Sequence, residues 1–146
     1  MAETISDQAE LSGVKVMRVL AIDDNTECLD LLRDLLQPMG FEVVTMTSPI
    51  KALERFKSAK EHFDVVLVDY FMPQLDGAKT FDFLRIFDPA VKVILISGGE
   101  ELRLRQILAQ YPFDGVIRKP FRLQEALQIV RQVIDTPKQK GKVIGM

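Results

Sequence analysis

Five short runs of this chain are apolar almost without interruption, and a stretch of helical spacing follows each one. The runs are Arg18–Asp23, Phe41–Thr47, Asp64–Asp69, Val91–Ser97 and Val116–Arg118. A strand with one wet face alternates apolar and polar residues, so unbroken apolar runs predict strands buried on both faces. Strands that alternate with helices form parallel βαβ units with right-handed crossovers, because two adjacent parallel strands need a long connection.

The helices are marked by spacing and by their ends. Cys28, Leu31, Leu32, Leu35 and Leu36 share a helical face that stops before Pro38, where Met39-Gly40 turns the chain. Ser48-Pro49 reads as N-cap and first helical residue of a second helix, with Ile50, Leu53 and Phe56 inward. Thr80–Phe87, with Phe81 and Leu84 inward, predicts a third. Glu100–Gln110 predicts a fourth, its acidic start matching the helix dipole. Leu123, Leu127, Val130 and Val133 mark a fifth, ending near Asp135. The predicted fold is α/β: a doubly wound, five-stranded parallel sheet of flavodoxin-like order 2-1-3-4-5 with helices on both faces. Residues 1–16 are expected as a loose arm, 17–135 as one folded domain and 136–146 as a loose tail. The scattered Phe and Met residues are expected in the core.

Composition removes several function classes. With 146 residues, 47% apolar and 27% charged, the chain suits one globular domain. Its net charge of −2, with both signs interspersed, lacks the basic stripe of a nucleic-acid binder. One cysteine, Cys28, and one histidine, His62, exclude an internal disulfide and a Cys/His zinc site. No apolar run approaches a membrane span, and Met1–Asp7 lacks the basic and apolar regions of a signal peptide. A reducing, cytoplasmic setting is expected, with no membrane partner.

Polar residues close four of the runs: Asp23-Asp24, Asp69, Ser97 and Lys119. In an open α/β sheet ligands bind beyond the C-terminal strand ends. If those ends lie side by side, three carboxylates, a hydroxyl and an ammonium converge. Each residue also has a plainer reading. Asp24 with Glu27 fits a helix capping box, Asp69 fits a turn, and Lys119 fits a solvated strand end. Their coincidence at strand ends favours a shared site. Crowded carboxylates repel one another unless a cation is present, and Mg²⁺ takes hard oxygen ligands while leaving positions open to phosphate. Ser97 has no partner histidine, since His62 precedes the third strand at the opposite edge, so a Ser-His-Asp hydrolase fails. Small residues Gly98-Gly99 leave room for a phosphoryl group. Cys28 reads as core packing.

At these residues the chain resembles the receiver domains of two-component response regulators. The matching pieces are Ile22-Asp23-Asp24, Leu67-Val68-Asp69 with Met72-Pro73 and Asp76-Gly77, Ile96-Ser97-Gly98 and Lys119-Pro120-Phe121. The resemblance runs from about Val16 to Asp135. It implies a phosphoacceptor signalling module rather than an enzyme. Asp69 would take a phosphoryl group from a phosphohistidine on a sensor kinase or phosphotransfer protein. Asp24, Asp69 and the backbone carbonyl of Phe71 would ligate Mg²⁺, with Asp23 direct or through a water. Lys119 and Ser97 would contact the phosphoryl oxygens, beside Gly98 and a cis Lys119–Pro120 bond. Output would pass through phosphorylation-dependent contacts with a downstream protein, and a homodimer would also be compatible.

Two positions depart from the family's pattern. Three residues before the lysine, where an aromatic ring commonly follows the hydroxyl on activation, stands Val116. Phe71, two residues after Asp69, is bulky where the side chain influences phosphate loss, and its ring is expected to shield the phosphoryl group. A haloacid-dehalogenase-type phosphatase needs a second Asp at that position, and Phe71 stands there instead. A nucleotide binder lacks a glycine-rich loop after the first strand. A degenerate receiver acting by contact alone is the remaining alternative. No output region follows residue 135 here, which fits either a stand-alone receiver or one cut from a longer protein.

Overall fold

The computed structural model describes residues 15–58, 60–137 and 143–146. Most of the arm expected over 1–16 therefore lies outside the described residues. Five strands, β1 (Arg18–Ile22), β2 (Glu42–Met46), β3 (Val65–Asp69), β4 (Lys92–Ser97) and β5 (Gly115–Arg118), form one sheet in the order β2-β1-β3-β4-β5. All four pairings are parallel. Five helices alternate with them: α1 (Thr26–Leu36), α2 (Pro49–Lys57), α3 (Gly77–Phe87), α4 (Glu101–Gln110) and α5 (Leu123–Asp135). This is the predicted doubly wound fold.

The unbroken apolar runs are explained by two cores, one on each face of the sheet. Val19, Ala21, Val65, Leu67, Ile94 and Ile96 face α1 and α5. Leu20, Ile22, Val66, Val68, Val93 and Leu95 face α2, α3 and α4. Adjacent residues thus serve opposite layers, as the period of two in a strand requires. The helices match their expected inward positions in part. Leu32, Leu53, Phe81, Leu84 and Val130 are buried, whereas Leu31, Ile50 and Leu123 are about half exposed. They lie on the flanks of their helical stripes, where none of the described elements covers them. Nor are all Phe and Met residues core: Met39, Phe71 and Phe83 are exposed.

Helix starts also differ in detail. α1 is capped by Asn25, whose side chain accepts from the Cys28 amide at 3.2 Å, and not by Asp24. α3 begins at Gly77, three residues before the expected start, because Asp76 accepts from the Lys79 amide at 2.9 Å. Both caps satisfy amides that the first turn leaves free.

Lys92, at the first position of β4, has a role its strand placement does not suggest. Its Nζ donates to the carbonyls of Val133, Ile134 and Thr136, each at 2.7 Å. A cation there satisfies the orphan carbonyls at the C-terminus of α5 and meets the negative end of its dipole. Lys92→Met is expected to lower stability by about 2 kcal/mol, checked by urea unfolding at pH 7. A change below about 0.5 kcal/mol, the range of ordinary surface substitutions, would mean that these bonds are no better than those to water.

Of the tail expected over 136–146, residues 138–142 lie outside the described residues. Ile144 forms a parallel bridge with Gly115, so residues 143–146 lie along the outer edge of β5.

Candidate functional site

Three strand ends are brought level by the register of the sheet. Asp69 pairs with Ile96 and Ser97 with Arg118. The ladder also runs past the strands, since the amide of Asp23 donates to Met46 O and that of Lys119 to Ser97 O. Asp23 is fully buried just beyond β1, and Asp69 closes β3 with 7% exposure. Asp24 stands exposed beside them, and carboxylate oxygens of the three lie within 4.8 Å of one another. Lys119 reaches in from the end of β5, its Nζ 2.8 Å from Asp23 Oδ2 and 3.4 Å from Asp69 Oδ1. The bond from Lys119 to Pro120 is cis.

One ammonium cannot neutralise three acids. Burial first, then the Asp23 charge, pushes the Asp69 carboxyl up to about 6, with Lys119 opposing and Asp24 adding a smaller upward push. Burial works against the Lys119 ammonium, but its hydrogen bond to Asp23 and the charges of Asp69 and Asp23 outweigh it and hold its pKa above the ordinary value. Burial first, then the neighbouring Asp23 carboxylate, pushes the Cys28 thiol up to about 12, so it packs as a neutral thiol.

Ser97 is buried at 4%, and its Oγ accepts from the Gly99 amide at 3.4 Å. Gly98 lies against the lysine, because a Cβ there would be 3.5 Å from Lys119 Cβ. The sheet therefore gathers Asp23, Asp24, Asp69, Ser97, Gly98 and Lys119 in one place. Val116 is not among them: it is buried in the layer of α2, α3 and α4. His62 is exposed beside Asp64, ahead of β3 and away from this edge.

Phe71 is 55% exposed at the mouth of the site. Its ring edge lies 3.8 Å from where a Cβ on Gly99 would be. It meets Tyr70 edge-on at 4.9 Å, and the Arg103 guanidinium of α4 stands 5.9 Å from the Tyr70 ring and 5.7 Å from the Phe71 ring. Arg103 and Asn25 were not anticipated from sequence. Arg103 carried no signal because it reads as one more surface arginine on α4.

An all-oxygen acidic set suits a hard divalent cation, and an ammonium beside it suits an anion. The pattern "Response regulator receiver domain" matches residues 19–131. The chain belongs to the receiver-domain family of two-component response regulators. Over 124 residues this receiver is 32% identical to the two-component response regulator ARR10 of Arabidopsis thaliana, covering 85% of this chain and 22% of that protein. The transcription factor SKN7 of Candida albicans is 29% identical over 121 residues, covering 83% of this chain and 21% of its own length. The receiver thus spans about a fifth of these curated relatives. Among solved structures, a response regulator receiver domain protein (CheY-like) from Methanospirillum hungatei superposes with a TM-score of 0.76 at 24% identity, covering 83% of this chain and 95% of that one. A receiver domain from Clostridium thermocellum gives 0.74 at 27%, covering 82% and 95%. No helix among the described residues is long and apolar enough to cross a membrane.

Proposed function

We propose that this receiver is a Mg²⁺-dependent phosphoacceptor and that Asp69 is the acceptor. The observation that carries the reading is the position of Asp69: nearly buried at a strand end, raised in pKa, between Asp23 and Lys119. Its donor is a phosphohistidine on a sensor kinase or phosphotransfer protein. An Asp69 carboxylate oxygen attacks phosphorus as the bond from phosphorus to the imidazole nitrogen breaks, and the electron pair leaves on that nitrogen. The residues fit Mg²⁺, since three hard carboxylates lie within 4.8 Å. Asp24, Asp69 and the Phe71 carbonyl would hold it, with Asp23 direct or through a water. When bound, the metal offsets charge on the acceptor and the phosphoryl oxygens.

Lys119 then gives up part of its contact with Asp69 to pair with a phosphoryl oxygen, and the Ser97 hydroxyl turns to donate to another. The new group brings roughly −1.5 to −2 charge, and drawing Ser97 inward biases the face made by α4, β5 and α5 between two packings. Val116 offers no ring to follow the hydroxyl. A downstream protein reads that face in a cytoplasmic setting.

Intact mass after incubation with acetyl phosphate and Mg²⁺ tests this. Wild type is expected to gain one phosphoryl group, about 80 Da, and Asp69→Asn none. Chelating the metal should abolish the gain. Should nothing be added, and a beryllofluoride mimic also fail to bind, the chain would act by contact alone. In the same assay Phe71→Asn is expected to lose the phosphoryl group several-fold faster, because the ring over Gly99 no longer excludes water. An unchanged lifetime would remove the shielding role.

A further inference from the structure

Residues 143–146 continue the alternation of the fold one step further. β5, α5 and this segment make another βαβ unit, with Ile144 in parallel register beside Gly115. The Val116 amide donates to Ile144 O at 2.8 Å, and the Ile144 amide donates to Asp114 O at 3.0 Å. Val143 packs on the core of α2, α3 and α4, whereas Ile144 packs on that of α1 and α5. The segment therefore straddles the sheet edge as a strand does, one side chain to each face.

Two glycines shape the place where it lies. A Cβ on Gly115 would stand 2.8 Å from Val133 Cγ2 and 3.2 Å from Ile144 O, so only glycine lets α5 and the segment approach together. Gly145 has φ +96°, and a Cβ there would stand 2.4 Å from Val116 O. Any other residue is excluded by conformation and by contact with main chain, which cannot rotate away. The seat thus accepts an apolar pair followed by glycine. Its occupant is lightly held. Val143 and Ile144 are half-buried, Gly145 and Met146 are exposed, and beyond the two main-chain bonds Arg118 Nη2 donates to Met146 Sδ at 3.2 Å.

We propose that the outer edge of β5 is a docking seat for an extended segment of a partner protein with the pattern apolar–apolar–glycine. Residues 143–146 are its built-in occupant, which the partner displaces by adding to β5 as a parallel strand. Strand addition takes its affinity from main-chain bonds and its selectivity from alternate side-chain pockets, and both are present here. An uncovered edge would be a template for indiscriminate pairing. A tethered occupant restrains that, because a short tether supplies an effective concentration on the order of millimolar. The seat exists whether or not Asp69 takes a phosphoryl group.

The test uses the full chain and the synthetic peptide Gly-Lys-Val-Ile-Gly-Met, the sequence of residues 141–146, followed by amide NMR and hydrogen exchange. In wild type the Val116 and Ile144 amides are expected to be protected, and Gly145→Ala should release both. The peptide should bind Gly145→Ala and restore protection at Val116, while wild type binds it about tenfold or more weakly, given the tethered competitor. A peptide with alanine in place of its second glycine, the counterpart of Gly145, should bind neither. The proposal is overturned by unprotected amides in wild type, or by no binding to Gly145→Ala up to about millimolar peptide, the concentration the tether supplies. Equal binding of the alanine peptide, or a dimer that exchanges its segments, would also overturn it.

Discussion

Asp69→Asn is expected to raise the melting temperature of the metal-free receiver at pH 7 by roughly 5–10 °C. Burial and the Asp23 charge put the Asp69 carboxyl at about 6 in the folded state, against about 3.9 in an unfolded chain. A raised carboxyl pKa means that the folded protein binds the extra proton. Stability is therefore lost as pH climbs from about 4 to about 6, and the whole deficit, at most about 3 kcal/mol, is present above that window. Asparagine has nothing to ionise. The difference between the two proteins should be largest at pH 7 in EDTA and should close as pH falls toward 4. Saturating Mg²⁺ should narrow it from the other side by stabilising wild type through mass action. Differential scanning fluorimetry with EDTA or Mg²⁺ at several pH values reads all of this. A lower melting temperature for Asp69→Asn in EDTA would mean that Asp69 makes structural hydrogen bonds which outweigh the crowding.

Much of this fold was legible because its strands are buried on both faces. Val65-Val66-Leu67-Val68 cannot be a half-wet strand, and its neighbours follow the same logic. The site was legible because a polar residue that ends such a run has few places to go other than the C-terminal edge. What sequence could not show are facts about neighbours. Helical spacing places Leu32, Ile50 and Leu53 on stripes but does not say that Ile50 lies past the edge of what α2 packs against. The partner of Asp23 is a lysine 96 positions away, and only the strand order makes them adjacent. Asp24 and Asn25 are equally good caps on paper. Asn25 takes the role, and its own amide donates to Asp23 Oδ1 at 2.9 Å. The segment 143–146 is the clearest case. It is held by two main-chain bonds and by Val143 and Ile144 on opposite faces, too short a run for its alternation to read as a strand.

Gly77→Ala is expected to destabilise the receiver by about 3 kcal/mol or more, at the upper end of what overpacking costs, and to weaken phosphoryl acceptance as well. In sequence Asp76-Gly77 is one piece of the receiver resemblance, with nothing to say what the glycine touches. The structure gives the glycine a definite duty. Its amide donates to Tyr70 O at 2.7 Å, which draws the start of α3 down onto the end of β3. A Cβ there would lie 2.7 Å from Asp69 O, 2.8 Å from Tyr70 Cα and 3.2 Å from Asp69 C. All three are main-chain atoms, so no side chain can swing aside. Either α3 lifts or the end of β3 moves, and the residue displaced is the proposed acceptor. Gly98→Ala makes the control, because its Cβ would meet Lys119 Cβ at an ordinary 3.5 Å, and its cost should stay below about 1 kcal/mol. Urea unfolding of both variants measures the stability difference. Acetyl phosphate labelling, at a temperature where both remain folded, measures whether Asp69 has moved. If Gly77→Ala matched Gly98→Ala in stability, α3 would not be clamped to the strand that presents Asp69. If it were destabilised yet labelled at the wild-type rate, the strain would have been released through α3 and the site left in place.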